Sequence, residues 1–144
     1  MTRTLSAYLI GALLVFASVS GALPQDPSDS DKARFQDIIT AQIEAFRSDD
    51  GGRAFSFAAP AIKSMFKTPD KFMSMVRSGY PAVYRPKSVT FGEVTADLGG
   101  PTQKVHLIGP KGYAWTALYA MQRQDDGTWK ISAVVMVRQE GTGA

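Results

Sequence analysis

Residues Tyr113–Arg138, YAWTALYAMQRQDDGTWKISAVVMVR, constrain the chain most: two apolar runs with period-2 patterning flank Asp125-Asp126-Gly127. In the first run Trp115, Ala117, Tyr119 and Met121 share one parity, and in the second Trp129, Ile131, Ala133, Val135 and Val137 do. Opposed residues lie on one face of a sheet, so the loop has to pair odd with odd. A two-residue loop would set Met121 against Ser132 and mix the faces. A three-residue loop, with Asp125 and Asp126 in a type I turn and Gly127 left-handed, sets Met121 against Ile131, Tyr119 against Ala133 and Leu118 against Val134. The odd face is then the helix-covered core. The even face is polar at one end and apolar around Leu118, Ala120, Val134 and Met136.

The first residues read as a targeting segment. Arg3 precedes an uncharged apolar run, Leu5 to Val19, followed by Ser20-Gly21-Ala22 and Pro24, which fits a secretory signal over residues 1–22 and a periplasmic location. The alternative is an inner-membrane anchor, because residues 5–23 are just long enough to span a bilayer. Residues 23–30 read as a linker, 31–138 as a single domain and 139–144 as a Gly-rich tail. No cysteine is present, so no disulfide staples the fold. Once residues 1–22 are removed, the remaining 122 of the 144 residues have to rely on a core that buries roughly two-thirds of their unfolded surface. Net charge is +3, with both signs interspersed, and no Lys/Arg cluster marks a nucleic-acid footprint.

Upstream of the sheet, Asp31–Arg47 carries Phe35, Ile38, Ile39, Ile43 and Phe46 at helical spacing, with Ser28 or Ser30 as its cap. Arg53–Ala59 and Ala61–Phe66 read as short helices broken at Pro60, and Thr68-Pro69 opens another that ends at Ser78-Gly79. Tyr80–Pro86, YPAVYRP, reads as an extended crossover held by its two prolines. Strands are expected at Ser88–Thr95, Gln103–Ile108, Tyr113–Gln124 and Thr128–Arg138. Helices followed by a four-stranded meander make an α+β fold, N-terminal helices packed on a curved antiparallel sheet.

The runs AQIEAFRSDD, AFSFAAPAIKSMF, FMSMVRSGYPAVYRPKSVTFGEV and WTALYAMQRQDDGTWKISAVVMVR resemble the bacterial family known as domain of unknown function 4864, found mostly in exported proteins of proteobacteria. The resemblance covers about Asp31 to Arg138, and Phe72–Pro86 is its most specific part. It departs at Ala133, where the family leads one to expect glycine. It is similar more distantly to the nuclear transport factor 2-like superfamily, whose curved sheet wraps around a helix as a cone. The family implies a fold and an exported compartment, and no catalytic residues.

Candidate sites are few. His106 is the sole histidine, and a general base there would need Asp97 or Tyr113 as partner. Met73 and Met75, with Met65, offer soft ligands, but i and i+2 on a helix point about 200° apart, so core filling is expected and no metal. Asp49-Asp50 and Asp125-Asp126 lack calcium-loop spacing and read as turns. Tyr80, Tyr84 and Arg85 on the crossover are the recognition candidates, against a structural account in which the tyrosines clamp the crossover and Arg85 caps carbonyls.

The expectation is therefore an exported binding or protein-interaction module without catalysis and without a cofactor. A homodimer or protein partner is expected across the face of Leu118, Val134 and Met136, and a small apolar ligand is a further candidate. Nucleic acid is not expected, and membrane only if the N-terminal segment stays uncleaved. The alternative is an isomerase- or dehydratase-like enzyme with His106 or Asp97 as base in an apolar cone of Phe55, Phe57, Phe72 and Tyr119.

Overall fold

The computed structural model describes residues 26–140. The expected signal segment, residues 23–25 of the expected linker and residues 141–144 of the expected tail lie outside them. Helix α1 runs over Asp29–Arg47, starting two residues earlier than its apolar stripe implies. Ser28 sets that start: Asp31 N donates to its Oγ while Ser28 N donates to the Asp31 carboxylate, each at 3.0 Å, a reciprocal cap on two helix-end donors. Phe35, Ile38, Ile39, Ile43 and Phe46 form its buried stripe, with Gln42 among them. Trp129 closes the N-terminal end, its ring edge-on to Phe35 at 4.8 Å and its indole N–H 3.2 Å from Asp31.

Asp49 leaves α1 with φ 52°, and Asp50 caps α2 (Gly51–Ser56) through Arg53 N. Helix α3 (Pro60–Phe66) and helix α4 (Pro69–Gly79) each take a proline in the first turn, where its missing N–H costs nothing. The same rule corrects the expectation for Tyr80–Pro86. Pro81 opens one helical turn, α5 (Pro81–Tyr84), and only Tyr80 and Arg85, the residues before each proline, keep extended φ values of −134° and −142°. Ala82 and Val83 are buried by that turn.

The sheet is an antiparallel meander in the order β1 (Ser88–Thr95), β2 (Thr102–Ile108), β3 (Ala114–Arg123), β4 (Trp129–Arg138). Helices before a curved, open four-stranded sheet make the α+β architecture read from the pattern. The β3–β4 turn is the three-residue loop with Gly127 left-handed at φ 84°, and Met121 opposes Ile131. Past that pair the register is corrected by a bulge. Ala120 opposes Ala133, Tyr119 opposes Val134, and Leu118 opposes Val135, where regular pairing gives Ala133 to Tyr119 and Val134 to Leu118.

Ser132 is the extra residue. Its hydroxyl donates to Ala120 O at 3.2 Å, while the backbone of Ile131 is held from its other edge by Phe57 O and Ala59 N at 2.9 and 2.8 Å. One added residue swaps the faces of everything beyond it. Val134 and Met136 therefore pack toward the core, and Val135 and Val137 are 42% exposed on the outer face beside Leu118. A second irregularity, between Phe91 and Val94, brings both of those side chains against the core. The core centres on Tyr119, Phe35, Phe46, Ile39, Leu107 and Ile131, which are essentially inaccessible.

Candidate functional site

The Ser132 bulge is also where a cavity forms. Ile131, Ser132, Ala133 and Val134 of β4 make its floor, and Ala58, in the link that pairs with β4, continues it. Gln42 and Phe46 of α1, Phe72, Met75 and Val76 of α4, and Tyr80 and Val83 at α5 form the far wall. Ile62, Met65 and Phe66 of α3 complete it. Helix α3 has no buried residue of its own and hangs on β4 through Ala59 N, so it stands off the sheet. The cavity measures about 390 Å³, opens to solvent on one side, and has Met65, 70% exposed, at its rim. Its wall contains no carboxylate, histidine, lysine or arginine.

The polar atoms of that wall are few and oriented. Gln42 is 3% exposed, and its Nε2 donates to Ala54 O at 3.1 Å. Ala54 O needs a side-chain donor because α2 is too short: Ala58 N, which would supply it in a longer helix, bonds Phe55 O instead. Ser132 donates its one hydroxyl hydrogen to Ala120 O. Tyr80 is half-buried at the edge of α4 and α5.

The structure places the sequence candidates in four separate locations. Tyr80 lines the cavity, whereas Tyr84 and Arg85 form a surface latch with Asp49 and Arg77. The Tyr84 hydroxyl donates to Asp49 Oδ1 and accepts from Arg77 Nε at 3.3 Å and Arg85 Nη2 at 3.1 Å. Arg85 also donates to Phe46 O and stacks on the Tyr84 ring at 4.0 Å. The Tyr84 hydrogen bond, followed by the charges of Arg85 and Arg77, holds the Asp49 carboxyl below its usual value.

His106 lies on the outer sheet face, exposed, its Nδ1 3.2 Å from Thr116 Oγ1 and its ring over Gly92, where an added Cβ would stand 2.7 Å from Nε2. Asp97 is exposed in the β1–β2 turn, 3.8 Å from Lys104, and Tyr113 stacks under Arg138 at 3.8 Å. Neither is a hydrogen-bond partner of His106. Of the expected cone lining only Phe72 reaches the cavity; Phe55 and Tyr119 are packed into the core. Met65 and Met75 line the cavity while Met73 is 2% exposed in the core. Among the described residues no cluster of His, Cys, Asp or Glu could hold a metal ion.

Residues 28–144 match the family described as a domain of unknown function, DUF4864. The chain belongs to the DUF4864 family. No curated protein and no solved structure matches it. In this DUF4864 chain the cavity residues missing from the sequence candidates include Gln42, Ala58, Ile62, Val83 and Ser132. Gln42 alone left a signal, as a polar residue inside an apolar helical stripe. Ser132 reaches the cavity only through the bulge, which period-2 patterning does not encode.

Proposed function

We propose that the chain is an exported, non-catalytic binding module that takes a small apolar ligand in the cavity between β4 and helices α1, α3 and α4. The observation that carries this is the cavity itself, apolar, open to one side and within the size range of small-molecule sites. Its wall supplies no general base: His106 and Asp97, the candidates for an isomerase- or dehydratase-like activity, lie on the outer face and in a turn. The leader-like residues 1–22 support export, and the order of helices and meander supports a nuclear transport factor 2-like cone. The test is titration with the neutral dye N-phenyl-1-naphthylamine. Saturable, one-to-one fluorescence enhancement is expected, lost in Val134→Trp, whose side chain opposes Tyr119 on the inner face and fills the floor. Absence of saturable binding by the natively folded protein would sink the proposal.

A second reading concerns the outer sheet face. With Val134 and Met136 turned to the core, the apolar outer patch is Leu118 with Val135 and Val137, both 42% exposed on a face the helices leave open. That favours association with a second copy, which sedimentation measures.

A further inference from the structure

The polar atoms of the cavity wall share one property, and it specifies the ligand end that they meet. Gln42 is 97% shielded, and its amide nitrogen is committed to Ala54 O, which fixes which end of the amide is which. Its Oε1 accepts no hydrogen bond from any described residue and belongs to a side chain that lines the cavity. Ser132 repeats the arrangement on the opposite wall: its hydrogen goes to Ala120 O and its lone pairs remain. Tyr80 can turn its hydroxyl either way and so does not select. The fixed polar atoms are thus acceptors set in an apolar surface, and a buried acceptor left unmatched costs more than a matched one returns.

Resting on the binding reading above, we infer that the cavity selects an apolar molecule carrying a hydrogen-bond donor, a neutral alcohol or amide N–H, which docks on Gln42 Oε1. It discriminates against an ether, which has only acceptors, and against a carboxylate, whose charge would face the same acceptor atoms. A ligand without a donor leaves Gln42 Oε1 dehydrated and unpaired; one with a donor does not.

The experiment is calorimetric titration of the full folded chain at neutral pH with decanol, decyl methyl ether and decanoate. Decanol is expected to bind roughly fivefold or more tightly than the ether, the worth of one net hydrogen bond, and more tightly than decanoate. In Gln42→Met the alcohol-to-ether ratio should fall toward one even where both affinities drop. Because that variant also strips Ala54 O of its donor and can fail to fold, the wild-type ratio decides on its own. Equal binding of alcohol and ether, or preference for decanoate, overturns the inference and leaves the cavity reading standing. No binding of any of the three overturns both.

Discussion

At the residue scale the buried polar atoms are the sharpest feature. Tyr119 is completely buried on β3 and its hydroxyl has no partner, so burial pushes its phenol well above the ordinary value of 10.0. A dehydrated, unpaired hydroxyl is a net cost. Tyr119→Phe is therefore expected to raise stability by about 1 kcal/mol in urea unfolding at neutral pH. Burial raises the folded-state pKa, so the neutral phenol's contribution is complete below pH 10.0 and declines as pH rises above it, where only the unfolded chain ionises readily. The wild type should thus lose stability above pH 10 more steeply than Tyr119→Phe, and parallel alkaline profiles would contradict the assignment. Gln42 differs from Tyr119 in one respect that matters: its unpaired oxygen belongs to a cavity wall and not to the closed core. Its position in the apolar stripe of α1 was readable from the sequence; which carbonyl held its nitrogen was not.

At the scale of elements, the latch of Asp49, Arg77, Tyr84 and Arg85 ties the end of α1 to α4 and α5. Those two helices carry Met75, Val76, Tyr80 and Val83 into the cavity, so the latch sets the position of one wall. Asp49 sits at φ 52°, which asparagine tolerates as well as aspartate, so Asp49→Asn removes the charge without adding backbone strain. The carboxyl titrates below its ordinary 3.8 in the folded chain. Its contribution is accordingly present above that value and disappears as pH falls through the depressed one. Asp49→Asn should be less stable than wild type at neutral pH, and the two should converge in strong acid; thermal unfolding at both pH values checks this. The sequence identified Tyr84 and Arg85 as a pair, but Asp49 and Arg77 join them only through the turn that Pro81 nucleates. The two prolines of this segment imply extension, whereas Pro81 takes its first-turn role in α5.

At the scale of the whole molecule, the four strands and their order were legible because alternation, Gly-containing turns and helical spacing all act within a few residues. What the molecule does with its two sheet faces was not. One bulge sends Val134 and Met136 to the core and leaves Val135 and Val137 outside next to Leu118, reversing the face expected from parity. If a second copy covers that outer face, sedimentation of wild type at tens of micromolar, a concentration chosen as about where weak to moderate interfaces are half occupied, should show a dimer, and Val135→Glu should return it to monomer. A monomeric wild type, or a dimer untouched by Val135→Glu, excludes this interface. Leu118→Ala tests the same patch less severely, since Leu118 is already half-buried.

By itself the sequence determined the α+β class, the strand order, the three-residue turn at Gly127 and the cap at Thr68, all consequences of local chemistry. Only the tertiary structure decided the cavity and the outer patch. Both depend on Ser132, which carries no mark of its own: it becomes a bulge because Phe57 and Ala59 grip Ile131 on one edge while β3 pairs on the other. That competition between two distant segments for one strand has no counterpart in the pattern of a single run. Regular alternation therefore predicts the strand and misplaces its last six residues.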